Sequence, residues 1–311
     1  MKIVFLDEYS LSSCDLSPIK ALGEYVGYHK TYTEEEVIER AKGARVVISN
    51  KVLISRRAME QLPDLRLICV AATGMNNVDL VAAKELGIEV KNAVGYSTHA
   101  VAETTLCSVL SLYRRVVYYD RYVKSPEGYS KEDVPFYFGM PTRQLWRKRW
   151  GVIGLGNIGR EVARLASAFG CEVAYASTSG AVREEEYERK ELDELLEWAD
   201  VVTIHCPLND KTRGLIGGRE LRKMRRGVVI VNVARGGIID EEVLVEAIDN
   251  EWVAGAAIDV YEREPMPSSS PLLRCKNPDK LLLSPHNAWS PLEAIDVLVG
   301  CIVENIKSIG Q

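Results

Sequence analysis

The stretch Trp150-Gly-Val-Ile-Gly-Leu-Gly-Asn-Ile-Gly159 decides the fold. Its apolar opening reads as a strand, it passes through three glycines, and the residues from Asn157 to Gly170 read as a helix. In such a strand–turn–helix each glycine has a task. Gly154 permits the tight turn, Gly156 lets backbone approach a pyrophosphate, and Gly159 lets the helix pack closely on the strand. The helix N-terminus offers unpaired N–H groups to the anion. Leu155, Asn157 and Ile158 complete a loop expected to bind a dinucleotide.

Strand and helix patterns alternate on both sides of this loop. Downstream, CEVAYAS, DVVTIHCP, GVVIVNVA, AGAAIDV and KLLLSPH read as strands, with helices at ELDELLEWA and DEEVLVEAIDN. The apolar runs are continuous, as parallel strands covered on both faces require. The fold class is therefore α/β, with a Rossmann-type doubly wound parallel sheet. Upstream, KIVFLD, RVVISN, LRLICVAATG and IEVKNA read as strands of a smaller α/β unit. One long helix is predicted from about Thr98 to Tyr122, followed by a proline- and aromatic-containing arm from Ser125 to Arg149, a candidate for subunit contact. The last helix, from Pro291 to Ile309, is expected to return to the N-terminal unit and make it discontinuous. The predicted domains are 1–98 plus 289–311 for substrate and 99–288 for the dinucleotide.

The chain has 311 residues, 47% hydrophobic and 27% charged, an ordinary globular composition with room for two domains. A formal net charge of −5 disfavours nucleic acid as a partner. Seven cysteines without a C-x-x-C pair are read as reduced thiols of a cytoplasmic protein. The start MKIVFLDEYS reads as lacking a signal peptide, no run reaches the roughly 18 apolar residues of a membrane span, and no residue cluster has metal-ligand spacing.

An acid ending the second nucleotide-domain strand would hydrogen-bond the adenosine ribose of NAD. Here Ser177 and Thr178 stand there, followed by Ser179, and hydroxyls suit a 2′-phosphate, with Arg183 as a possible cationic partner. The cofactor is thus NADP or NAD, with a lean to NADP.

Three strings further on carry chemistry: VARGG around Arg235, EREP around Glu264 and SPHNAW around His286. Arg235 follows a strand-like run, where ligands bind in open α/β sheets, and a guanidinium grips a carboxylate with two parallel hydrogen bonds. Ketone reduction needs a proton donor, a role that suits His286, and Glu264 would keep that imidazole charged. In the turn AATGMNNVD, Thr73, Gly74 and Met75 are expected to present backbone N–H groups to the substrate carboxylate, with Lys51 a weaker candidate for the same space. Of the other histidines, His99 begins the long helix and is read as capping it or lining the cleft, and His205 is read as packing or cofactor-lining.

These strings, with VAATGMNNVDLVAAKELGIEV, NAVGYSTHAVAE and IHCPLNDKTRGLI, resemble the D-isomer-specific 2-hydroxyacid dehydrogenases over nearly the whole length. The resemblance implies a nucleotide-binding domain inserted into a flavodoxin-like catalytic domain, an active site between them, and a homodimer. It places Arg235, Glu264 and His286 on the catalytic residues, and Cys206, Pro207, Val233, Ala234, Arg235 and Asp259 on the nicotinamide side, with Thr212 from IHCPLNDKTRGLI a further cofactor candidate. ATGMNNVD and PHNAW look most like glycerate dehydrogenases, also called hydroxypyruvate reductases, so the expected partner is a small 2-keto or 2-hydroxy acid: glycerate/hydroxypyruvate or glyoxylate. A D-lactate dehydrogenase-like enzyme is the alternative, and a non-catalytic, NAD(H)-sensing corepressor-like protein a further one. Glu264 departs from formate dehydrogenases, which carry glutamine there; Ser177, and Arg147 with Lys148, depart from the family pattern.

Overall fold

A computed structural model describes residues 1–180 and 186–309. Two compact units emerge, Met1–Ser97 with Ser290–Gln311, and Thr98–Trp289.

The first unit is built on five parallel strands, β1 (Lys2–Phe5), β2 (Glu24–Gly27), β3 (Val46–Ser49), β4 (Leu67–Val70) and β5 (Glu89–Asn92), in the order β2-β1-β3-β4-β5. Every residue of β3 and β4 is buried, which is why their sequences are unbroken apolar runs. The β2 strand is a difference from the sequence reading: EYVG lies at the sheet edge, half exposed, without such a run. The helix Glu34–Ala41 starts at a reciprocal cap, in which Thr33 Oγ1 accepts from Glu36 N at 3.2 Å and Glu36 Oε2 accepts from Thr33 N at 3.3 Å. The terminal helix Leu292–Lys307 buries Ile295, Leu298, Ile302 and Ile306 and lies against β4 and β5, where Asn305 Nδ2 donates to Asn92 O at 3.1 Å.

The second unit holds seven parallel strands: β6 (Arg149–Ile153), β7 (Glu172–Ala176), β8 (Glu188–Arg189), β9 (Val201–Ile204), β10 (Val228–Asn232), β11 (Val253–Ile258) and β12 (Leu281–Leu283). Their order is β12-β11-β10-β9-β6-β7-β8, so the winding reverses between β6 and β9. The long helix predicted to Tyr122 is in fact two, Thr98–Arg114 and Val116–Lys124. Arg115 between them takes a left-handed φ of 54°, and its guanidinium donates to Ala254 O at 3.1 Å and Asp279 O at 3.3 Å. Those tertiary bonds hold a break that helical periodicity does not reveal. The arm after Ser125 has one short turn of 3-10 helix, Tyr129–Lys131. It is pinned to the preceding helix by stacking of Tyr137 on Tyr122, with ring centres 3.9 Å apart. Among the described residues, no helix is long and apolar enough to cross a membrane.

Candidate active site

The glycine loop follows β6, at the reversal of winding. Gly154 has φ +92°, and a Cβ there would meet the Cys206 backbone at 2.8 Å. A Cβ on Gly159 would stand 2.2 Å from Gly154 O, so the helix Asn157–Ala168 sits against the turn as only glycine allows. Gly156 caps that helix without a side chain and has no heavy atom within 4 Å of its would-be Cβ. Bare backbone, open space and a helix N-terminus without a side-chain cap fit a pyrophosphate. Leu155 lines the same place, Asn157 is exposed, and Ile158 packs into the core.

Beside the loop lies a cavity of about 240 Å³, bordered by Ser177, Thr178, Ser179, His205, Cys206 and Pro207. It is smaller than the roughly 300–1,000 Å³ of whole-ligand pockets and suits one half of a dinucleotide. Ser177 and Ser179 lie with their hydroxyls 3.4 Å apart, and no carboxylate borders the cavity among the described residues. Arg183 lies outside the described residues. Burial pushes the Cys206 thiol up to about 11, so it is a neutral wall here.

Thr212 requires a correction. It is fully buried, donates to Pro207 O at 2.6 Å and accepts from Asn209 N at 2.8 Å. It braces the turn after Pro207 and offers no surface to a cofactor.

His205 has two buried ring nitrogens without a hydrogen-bond partner among the described residues, and burial alone pushes the imidazole down to about 3 from the ordinary 6.5. Unfolding releases it to take a proton. Its stabilising contribution is therefore full above pH 6.5 and is lost as the pH falls toward 3. We expect the melting temperature of wild type to fall more steeply across that window than that of His205→Leu; parallel falls would contradict the assignment.

Arg235, Glu264 and His286 follow β10, β11 and β12, three neighbouring parallel strands, so they share the carboxyl edge of one sheet. The turn at Arg235 is fixed by the Asn232 side chain and by close backbone packing. Asn232 Nδ2 donates to Arg235 O at 2.9 Å, and a Cβ on Gly236 would lie 1.8 Å from Tyr261 O. The half-buried Arg235 side chain donates from Nη1 to Ala234 O at 2.7 Å. His286 Nδ1 lies 2.9 and 2.7 Å from Glu264 Oε1 and Oε2. In that contact Nδ1–H donates to the carboxylate, so Nε2 is the ring nitrogen available to exchange a proton. Glu264 is held in turn, since Oε1 accepts from Tyr261 N at 3.1 Å.

Asp259 does more than the sequence reading gave it. Its buried carboxylate accepts from Ser284 Oγ at 2.6 Å, Asn287 N at 3.0 Å and Ala288 N at 3.1 Å, tying down the loop that carries His286 in a left-handed backbone, φ 54°. Asp259 also borders, with Val233 and Ser284, a second cavity of about 300 Å³. Its far wall is Thr104, Ser108 and Ser111 of the helix Thr98–Arg114, residues missed from sequence although their i, i+4, i+7 spacing marks one polar helix face. His99, in that helix's first turn, faces Glu161 at 3.1 Å instead, and Glu161, clamped by Arg164 and His99, is held down at about 2.

Lys51 and the Thr73–Met75 turn belong to the first unit, at the carboxyl ends of β3 and β4. Thr73 Oγ1 donates to Ala93 O at 3.2 Å, Gly74 is half-buried, and Met75 packs partly on the core.

A glycine loop that fits a dinucleotide and a histidine paired with a carboxylate in one doubly wound sheet are the equipment of a nicotinamide-dependent oxidoreductase. Comparison with known proteins makes the class specific. Residues 106–288 match the family described as D-isomer specific 2-hydroxyacid dehydrogenase, NAD binding domain. A glycerate dehydrogenase of Methylorubrum extorquens is 35% identical over 310 residues, 99% of this chain and 95% of the relative. A hydroxypyruvate reductase of Blautia hydrogenotrophica is 37% identical over 313 residues, 99% and 96% of the two chains. The crystal structure of a glyoxylate reductase from Paecilomyes thermophila superposes with a TM-score of 0.84 at 26% identity, covering 99% of this chain and 94% of that one. The chain belongs to the D-isomer specific 2-hydroxyacid dehydrogenase family. It is an oxidoreductase acting on the CH–OH group of 2-hydroxy acids with a nicotinamide cofactor.

Proposed function

We propose that this enzyme reduces a small 2-keto acid, hydroxypyruvate first and glyoxylate second, to the D-2-hydroxy acid. The observation that carries the mechanism is the His286–Glu264 pair at 2.7 Å, beside the strand end that carries Arg235. His286 Nε2 gives its proton to the carbonyl oxygen, while Glu264 holds the ring in place and balances the imidazolium. Arg235 of the second unit grips the substrate carboxylate; in the first unit, taken by itself, Lys51 and the backbone N–H groups of Thr73, Gly74 and Met75 are the candidate substrate contacts. Gly154, Leu155, Gly156, Asn157, Ile158 and Gly159 form the pyrophosphate turn, Ser177 and Thr178 take the adenosine ribose, Cys206 and Pro207, placed on the nicotinamide side by the resemblance, border the cavity that Ser177 and Thr178 also line, and Val233, Ala234 and Asp259 border the nicotinamide. A nicotinamide dinucleotide bound there supplies the hydride.

The substrate choice is supported by the glycerate dehydrogenase and hydroxypyruvate reductase relatives. The hydroxyl pair at Ser177 and Ser179, with no carboxylate among the described residues bordering the cavity, favours NADP over NAD. The test compares kcat/KM for hydroxypyruvate, glyoxylate and pyruvate with NADPH and NADH. Pyruvate as the best substrate would move the enzyme to the lactate dehydrogenase-like reading, and a clear NADH preference would overturn the cofactor reading.

Seven free cysteines support a reducing, cytoplasmic setting. The arm supports a homodimer. Phe136 and Phe138 are 65% and 90% exposed on a segment whose tyrosines pack together, a costly display unless a second copy covers it. Light scattering should give twice the chain mass, and a Phe136→Ser, Phe138→Ser variant should run as a monomer; an unchanged mass in that variant would show that the arm is not the contact.

A further inference from the structure

In the first unit the strand order reverses between β1 and β3, and in open parallel sheets ligands lie in the crevice at such a reversal. Here that crevice is filled from inside. Asp7, just beyond β1, is 2% exposed. Its carboxylate accepts from Asn50 N at 2.9 and 3.1 Å, one distance to each oxygen, and from Lys51 N at 2.6 Å, in the turn after β3. Successive amides converging on one anion form a nest of the kind that holds phosphates, and the anion is the protein's own.

Burial pushes the Asp7 carboxyl up, against the amides of Asn50, Lys51 and Val52 and the Lys51 charge, which hold it down. A buried carboxylate is a costly way to secure a turn. This turn also has other ties. Ser49 Oγ accepts from Val52 N at 3.1 Å, Asn77 Nδ2 donates to Val52 O at 3.0 Å, and Asn50 Nδ2 donates to Ala71 O at 3.0 Å. What the Asp7 contacts add is a fixed backbone at Asn50 and Lys51 themselves.

We infer that Asp7 is a positioning residue for substrate binding: it holds the Asn50–Lys51 backbone so that the Lys51 side chain is placed for the substrate carboxylate. The inference rests on the reading of Lys51 given above.

The full-length enzyme tests it through Asp7→Asn, Lys51→Met and the double variant, assayed with the keto acid that wild type reduces best and melted in parallel. We expect KM for the keto acid to rise on the order of tenfold in Asp7→Asn, the scale of a lost charge-assisted hydrogen bond, with kcat and the cofactor KM little changed. The double variant should be no worse than Lys51→Met, because Asp7 acts through Lys51. A folded Asp7→Asn with wild-type KM, while Lys51→Met raises KM, overturns this inference and leaves the Lys51 reading standing. Penalties that multiply in the double variant also overturn it. A silent Lys51→Met sinks the Lys51 reading and the inference together. If Asp7→Asn does not fold, Asp7→Ser, with no charge to bury, takes its place; if neither folds, Asp7 serves folding and the inference falls.

Discussion

His286→Ala should lower kcat for keto-acid reduction by about 10²–10⁴-fold, the usual loss when a positioned acid–base group is removed. In the proposed mechanism the carbonyl oxygen would gain negative charge on hydride transfer, and His286 Nε2 would neutralise it. Nothing in the glycine loop touches this histidine: Gly154–Gly159 follow β6, whereas His286 follows β12 at the far edge of the sheet. Cofactor affinity, read by fluorescence titration, should therefore stay within about threefold of wild type, a difference under 1 kcal/mol. Retained turnover would remove His286 from the mechanism. Lost turnover together with lost cofactor binding would show a collapsed sheet edge instead.

Arg235→Gln should reduce kcat/KM for the keto acid by about 10²–10³-fold, as expected when one partner of a charge-assisted ion pair worth roughly 2–5 kcal/mol is removed. Most of the loss should appear in KM, because the substrate carboxylate carries the same charge before and during hydride transfer. Arg235→Lys should recover only part of it, since an ammonium keeps the charge but not the two parallel donors. The stability of Arg235→Gln should be near wild type, because the side-chain bonds of Asn232 to the Arg235 carbonyl and the Ala234 amide, and the close approach of Gly236 to Tyr261, hold the turn rather than the guanidinium. A kcat/KM within threefold of wild type would contradict the assignment.

Where a residue's place in the fold is written into a local pattern, the sequence was sufficient. Continuous apolar runs marked the buried strands, and glycines at 154, 156 and 159 marked the cradle because the crowding at Gly154 and Gly159 admits no Cβ. The order Arg235, Glu264, His286 mapped onto three adjacent strand ends because consecutive strands of a doubly wound sheet lie side by side. What escaped depends on contacts distant in sequence. Arg115 breaks a helix through carbonyls at Ala254 and Asp279. Asp259, read as a cofactor-lining residue, is also the tether of the His286 loop, through bonds 25 to 29 residues away. Thr212 looked like a cofactor contact, yet its hydroxyl is consumed within its own turn. The edge strand β2 escaped because an edge can be half exposed and carry no apolar run.

The most direct test is to incubate the enzyme with hydroxypyruvate and reduced cofactor, follow cofactor oxidation by absorbance, and resolve the product on a chiral column. We expect D-glycerate formed in equal amount to the cofactor oxidised. L-glycerate as the product, or no oxidation of either NADPH or NADH, would contradict it.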